Sequence, residues 1–354
     1  MHVDYMVVGQ GLAGSLLSYH LIEKGKKVLV FDSAKKPKAS RVAAGIFNPF
    51  TGRKLVKTWM ADELFSFLLD FYPRVEKKLG LSFFHSMPMY RPFLSNHEQN
   101  EWGAKIYEDS YAGYIDHING PDQQLPEIVN PLGGMMMKQC GYVETNKLID
   151  GISHLIKRKA LLKNTEFEVS RLHLEKDQVE YCGDSANRVI FCEGPHLNEN
   201  RFFNWLPMRP VKGELIEIAL NEPLDYIANR GVFVLPMDGT HCKVGATFDN
   251  KNLDWKVTSE ARTKLSAGLE SLVRIPYNIT NQLSGIRPAT ADRRPFIGIH
   301  PEFEPLAIFN GLGTKGVSLA PFLIHRFFEL LENGKPLIPE VSISRYFSLY
   351  YNKI

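Results

Sequence analysis

The apolar positions of this chain fall into two textures. At the N-terminus "YMVVGQGLAGSLLSYHLIEKGKKVLVFD" predicts strand, tight turn, helix and second strand. Val7 and Val8 run into Gly9-Gln10-Gly11-Leu12-Ala13-Gly14, apolar residues then recur at helical spacing to about Lys24, and Val28 to Asp32 is apolar up to its terminal carboxylate. Gly25 stands where that helix needs a cap. Met60 to Gly80 also has helical spacing, closed by Gly80, whereas Ser82 to Met137 is irregular, aromatic and turn-rich. "GYVETNKLIDGISHLIKRK" predicts an amphipathic helix with Thr145 as N-cap, and "TEFEVSRLHLEKDQVEY" and "ANRVIFCEG" alternate like strands.

The second texture begins near residue 205. "VKGELIEIAL", "GVFVLPM" and "HCKVGATF" alternate between turn signals and predict an antiparallel sheet. One domain interrupting another follows from the contrast with the N-terminal unit. "GIRPATADRRPFIG" is too broken by Pro for a helix and too charged for a buried strand. Its Pro residues and Thr290 predict a loop. Beyond it come a strand (Leu306 to Phe309), a turn with Gly311, Gly313 and Gly316, and an apolar helix ending at Gly334, with Pro321 placed in its first turn.

Composition narrows the classes. At 354 residues, 44% hydrophobic and 23% charged, the chain has the make-up of a soluble globular protein long enough for two domains. A net charge of +3 neither demands a nucleic-acid partner nor forbids an anionic substrate. The N-terminus lacks a basic leader, and no run approaches the ~18 apolar residues of a membrane span, so a cytoplasmic protein without a membrane partner is expected. The four cysteines are scattered without a C-x-x-C pair, which signals neither metal nor disulfide.

The N-terminal glycines each have a task in dinucleotide binding. Gly9 permits a tight turn, Gly11 lets a pyrophosphate approach the backbone, and Gly14 lets helix and strand pack closely. The helix N-terminus then offers free N–H groups to phosphate. Asp32, 18 residues after Gly14, can accept ribose hydroxyls and would repel a 2′-phosphate. The motif alone leaves FAD and NAD open. From Ser33 to Ala61 there are seven basic residues and no acid. Lys35, Lys36 and Lys38 read as a solvated loop, Arg41 with Ala43, Ala44 and Gly45 as backbone running against a cofactor, and Arg53, Lys54 and Lys57 as an entrance edge. Cys192 reads as a buried thiol and Glu193 as a cofactor-side or solvent position. The Gly-rich turn before the last helix makes a second anion site.

With these segments on the page, the chain resembles the FAD-dependent oxidoreductases of the D-amino-acid oxidase superfamily, in the glycine oxidase and sarcosine oxidase branch. The resemblance rests on "VVGQGLAG", "AAGIF", "GYVETNKLIDG", "VIFCEG", "RPVKGE", "KVGAT", "GIRPATADRRPFIG" and "NGLGTKGVSLAP", taken in order. It implies an α/β (mixed α+β) protein: a Rossmann-type FAD-binding domain over residues 1–82, 139–204 and 283–354, and an antiparallel-sheet substrate domain over 83–138 and 205–282. FAD would be non-covalent, because the flavin-linking cysteine of sarcosine oxidases falls at Arg287. Gly9, Gly11, Leu12, Ala13, Gly14, Asp32, Ser33, Arg41, Ala43, Ala44, Gly45, Cys192, Glu193, Gly194 and Arg287 would contact the cofactor, and the backbone of Val169, placed on the strand after the central helix, would touch its adenine. Gly311, Gly313, Thr314, Lys315 and Gly316 would meet the ring.

The implied reaction oxidises the C–N bond of an amino acid or secondary amine by hydride transfer to flavin N5, after which water hydrolyses the imine. The electron acceptor is O2 or another oxidant. Arg287 matches the arginine that grips the substrate carboxylate, a task suited to a guanidinium fork. Lys315 and Phe233 would line the substrate pocket, Phe233 standing where glycine oxidases have a tyrosine. "GLGTKGVSLAP" is also similar to the oxidase half of the enzyme that trims carboxymethylaminomethyl-uridine in tRNA, so tRNA is the alternative partner. A flavoprotein without oxidase activity is the third reading.

Overall fold

Strand His2–Val8 lies between two parallel partners, Val28–Asp32 and Asp184–Phe191. Such a strand is covered on both faces, which explains its near-continuous apolar run. Leu162–Asn164 extends the sheet beside Val28–Asp32, and Leu306–Asn310 adds in parallel to Asp184–Phe191. The computed structural model describes residues 1–52, 56–159 and 161–352. Alternate residues of this sheet enter two cores. Val7, Val30, Ile190 and Phe309 face a helical layer, whereas Val8, Phe31, Phe191 and Ile308 pack toward Phe203 and Trp205. The helical layer comprises Leu12–Glu23, Ala61–Leu79, Thr145–Arg158 and Gly316–Asn333.

The second large sheet has eight strands in the spatial order 277–287, 211–220, 241–245, 232–238, 227–230, 89–92, 134–137 and 115–119. All its pairings are antiparallel except that between Ile227–Arg230 and Met89–Pro92. Ile216, Val234 and Val244 point to one face, where Leu265 and Leu269 of helix Ser259–Glu270 cover them. The opposite face looks into a cleft. The whole is a mixed α/β architecture, and no helix among the described residues is long and apolar enough to cross a membrane.

Several local expectations change. The stretch from Ser82 to Met137 holds three strands of the second sheet, masked in the sequence by aromatic and turn-forming residues. Thr145 is the first residue of its helix rather than the cap; Glu144 precedes it, and the Thr145 hydroxyl instead donates to the Ser40 carbonyl (2.7 Å). The ends of "GIRPATADRRPFIG" lie in strands, Gly285 to Arg287 closing one and Phe296 to Gly298 opening the next. Pro321 sits inside helix Gly316–Asn333, beyond its first turn. Proline there cannot donate to the carbonyl four residues back, Val317. The buried Tyr72 hydroxyl of helix Ala61–Leu79 donates to that carbonyl (2.7 Å).

Candidate cofactor and substrate cleft

The cleft, about 510 Å³, is within the usual range for ligand sites and runs from the N-terminal turn to the second sheet. At one end Gly9 has φ +97°, and a Cβ there would stand 2.5 Å from the Cys192 carbonyl oxygen. Gly14 lies under Gly9, where a Cβ would overlap the Gly9 carbonyl oxygen. The N–H of Gln10 donates to Asp32 Oδ1 (2.8 Å), while Lys38 Nζ pairs with Oδ2 (3.1 Å). Ser40 Oγ accepts from the Leu12 N–H (3.3 Å) at the start of helix Leu12–Glu23, and no acid sits in its first turn, so its N-terminal dipole faces the cleft without an opposing charge.

The last long helix brings a second such terminus to the same place. Helix Gly316–Asn333 also lacks a side-chain cap and a first-turn acid, and a Cβ on Gly316 would come 2.9 Å from Leu12 Cδ2. The preceding turn is fastened to the loop after Arg287 by the Gly313 N–H, which donates to the Pro288 carbonyl (3.1 Å). Lys315 Nζ donates to Thr58 Oγ1 (2.7 Å) and to the Asn48 carbonyl (3.5 Å), with no carboxylate within 4.0 Å among the described residues. Burial pushes its ammonium down to about 7. Burial raises the Cys192 thiol far above its ordinary value and Glu193 to about 7, although Asn200 Nδ2 donates to Glu193 Oε2 (2.8 Å).

On the second sheet, Leu283, Leu215, Gly245, Phe233 and Asn229 stand opposite one another across five strands. Cross-strand partners share a face, and all of this row except Leu283 lines the cleft. Two glycines in this face are covered by the protein's own side chains. A Cβ on Gly213 would overlap the Arg287 guanidinium, and one on Gly245 would come 2.7 Å from Phe233 Cζ. Arg287 Nη1 donates to the Thr247 carbonyl (3.1 Å), and no carboxylate lies within 4.0 Å of the guanidinium among the described residues. Burial lowers the Arg287 pKa, yet a guanidinium stays charged. A desolvated fork held only by a carbonyl has hydrogen-bonding capacity left for an anionic ligand.

Most expected site residues meet here: Gly9 to Ala13, Asp32, Ser33, Ala43 to Gly45, Cys192 to Gly194, Phe233, Arg287 and Gly313 to Gly316 line the cleft. Gly14 and Gly311 lie behind the lining, Gly311 packed against Thr290 Cγ2. Arg41 turns away to pair with Asp150 (2.7 Å). Val169 opens a short 3-10 turn instead of lying on a strand, and Glu166 and Phe167 line that wall. Lys36 pairs with Glu166 (2.8 Å), and Lys57 with Asp62 (2.9 Å), so Lys57 is already neutralised. Arg53 and Lys54 lie outside the described residues. Sequence reasoning passed over Ser40, Asn48, Thr58 and Asn229, whose neighbours are supplied by segments distant along the chain.

A family model for FAD dependent oxidoreductases matches residues 4–325. The chain is similar to glycine oxidase of Pseudomonas putida, 24% identical over 96% of this chain and 97% of that protein. It is also similar to the tRNA 5-methylaminomethyl-2-thiouridine biosynthesis bifunctional protein MnmC of Legionella pneumophila, 23% identical over 84% of this chain but 45% of that longer protein. Among solved structures, glycine oxidase from Geobacillus kaustophilus has the same fold, with a TM-score of 0.79 and 19% identity over 98% of both chains.

Proposed function

The chain belongs to the family of FAD dependent oxidoreductases, and from that premise we propose that it oxidises the C–N bond of an amino acid or secondary amine bearing a carboxylate. The residues present fit the cofactor. The turn at Gly9 leaves no room for a side chain, two helix N-termini free of first-turn acids meet beside it, and Asp32 stands at the nucleotide end. Gly9 to Ala13 would hold the diphosphate, and Gly313 to Gly316 the flavin ring. When bound, FAD supplies the acceptor for the hydride that leaves the substrate carbon.

The chain's own groups bind, orient and balance charge. Arg287 is the observation that carries this reading: a buried guanidinium without a carboxylate partner, laid on Gly213 in the cleft. Its two parallel N–H bonds would fix a substrate carboxylate and hence the direction of the adjacent C–H. Phe233, flat on Gly245, supplies an apolar wall that excludes water from the carbon being oxidised. The N-terminus of helix Gly316–Asn333, with Lys315 beside it, places positive potential where negative charge develops during electron transfer. Lys315 Nζ, near 7, can hold or release a proton at neutral pH. No protein nucleophile or metal is required. The likeness to part of MnmC supports a tRNA-borne amine as the second reading, for which salt-sensitive tRNA binding is the measurement.

The test is anaerobic mixing of the FAD-loaded protein with amines and amino acids while following flavin absorbance. Carboxylated amines are expected to bleach it. Arg287→Leu should retain FAD and lose at least ~100-fold in the rate of reduction, as expected when a buried charge-assisted pair is removed. Unchanged reduction kinetics in that variant would make Arg287 structural, and a flavin that no amine bleaches would end the oxidase reading.

A further inference from the structure

The sheet face that carries Arg287 extends well beyond the space a molecule the size of glycine occupies. The guanidinium lies over Gly213 on strand 211–220, whereas Asn229 stands on strand 227–230, three strands away in the sheet. At about 4.8 Å per strand, that is roughly 14 Å. Phe233 fills the interval with a flat ring resting on Gly245. No glycine-sized ligand can touch both ends.

The far end is chemically distinct. Asn229 from the sheet and Asn48 from the segment above it direct their Nδ2 atoms at the same acceptor, Met89 Sδ, at 3.4 and 3.5 Å. A thioether sulfur is a weak acceptor. Among the described residues neither amide finds a stronger side-chain partner. The nearby cations already have partners. Arg230, whose side chain alternates to the other face, donates to the Phe93 carbonyl (3.0 Å), and Lys315 is held by Thr58 and the Asn48 carbonyl. Two under-satisfied carboxamides beyond a flat apolar wall make a subsite for a neutral hydrogen-bonding group.

Resting on the amine-oxidase reading above, we propose that the substrate is an elongated N-substituted glycine whose substituent ends in an uncharged, carbonyl-bearing group held by Asn48 and Asn229. Its carboxylate sits on Arg287, its secondary amine lies along Phe233, and its terminal carbonyl accepts from the two Nδ2 groups while displacing them from Met89. The oxidised bond and the fate of the electrons are those of the proposed reaction: the C–H pair leaves as hydride to the flavin, the nitrogen loses its proton, and water cleaves the imine.

A nearly isosteric pair of substrates isolates the carbonyl. With the FAD-loaded protein, kcat/KM and anaerobic flavin reduction are compared for N-(carbamoylmethyl)glycine and N-(2-methylpropyl)glycine, with glycine as the short reference. The amide is expected to exceed the branched alkyl compound by ~10-fold or more, the scale of one or two hydrogen bonds made in place of weak ones to a thioether. In Asn229→Leu and in Asn48→Leu, variants that retain side-chain bulk, that ratio should fall toward one while the flavin spectrum persists. Equal use of the two compounds by the unaltered protein overturns the subsite even if a variant fails to fold, as does an undiminished ratio in both variants. Those results leave amine oxidation standing. Absence of reduction by any carboxylated amine instead overturns amine oxidation and the subsite with it.

Discussion

The two ends of the cleft use glycine for opposite purposes. At the nucleotide end, glycine lets main chain approach main chain: Gly14 lies under the Gly9 carbonyl, and Gly9 lies against that of Cys192. What faces a ligand at that turn is backbone and helix dipole. On the second sheet, Gly213 and Gly245 clear ground that Arg287 and Phe233 then occupy. What faces a ligand there is side chain. In the proposed reaction the first end would hold a constant group, and the second could be altered without disturbing the frame. Cofactor binding and substrate choice are therefore separable by mutation.

The largest expected effect breaks the first end. Gly14→Ala forces a methyl into the Gly9 carbonyl, with Cys192 Cβ beside it and no flexible group to yield. It should cost a few kcal/mol of stability and yield protein largely without flavin, read from the melting temperature and the absorbance of the purified sample. The same substitution at the second end should behave differently. Gly213→Ala meets the far end of an arginine, which can swing aside. FAD content should remain, while KM for carboxylated substrates rises by ~10- to 100-fold as the fork loses its alignment. Equal loss of flavin in both variants would erase the distinction.

The smallest effect concerns acidity at the nucleotide end. Glu193 is raised to about 7 chiefly by burial, with Asn200 and the charge of Lys36 opposing the shift and Glu199 reinforcing it. Because its folded value lies above its ordinary one, the folded protein retains a proton that the unfolded chain has lost between about pH 4.5 and 7. Its contribution therefore declines as pH rises through that window and is flat above it. Glu193→Gln should remove this part of the slope in cofactor-free protein, seen in denaturant midpoints across pH. An identical slope in the variant would mean that the carboxylate is accommodated as an ion.

The same contrast explains what was legible in the sequence. The turn from Gly9 to Gly14 and the acid at Asp32 are a local code, since one short unit sets strand, turn and helix at fixed spacing. The row Leu283–Leu215–Gly245–Phe233–Asn229 is instead assembled from five strands, and only pairing register places those residues side by side. Arg287 was found through its motif, but its seat on Gly213 had no local signal. Asn48 and Thr58 have no local signal, because the Lys315 that contacts them lies some 260 positions later. Arg41 followed the opposite course: the sequence suggested a place beside a cofactor, and the Asp150 that draws it away had no local signal. The strands between Ser82 and Met137 were hidden because Met, Tyr and Pro in short runs carry little period-two pattern.

The bond from the Gly313 N–H to the Pro288 carbonyl joins a turn near the end of the chain to the loop after the second sheet, and Gly316 then rests on Leu12 of the first helix. In time, not only in space, this makes the cleft a late product. A ribosome delivers the N-terminal turn first, yet the second helix terminus beside it does not exist until some 300 further residues have emerged. Until then the nascent turn presents only one of the two positive ends that meet at the cleft. Flavin colour in newly made protein thus reports that the whole chain, from Gly9 to the last long helix, has closed on itself.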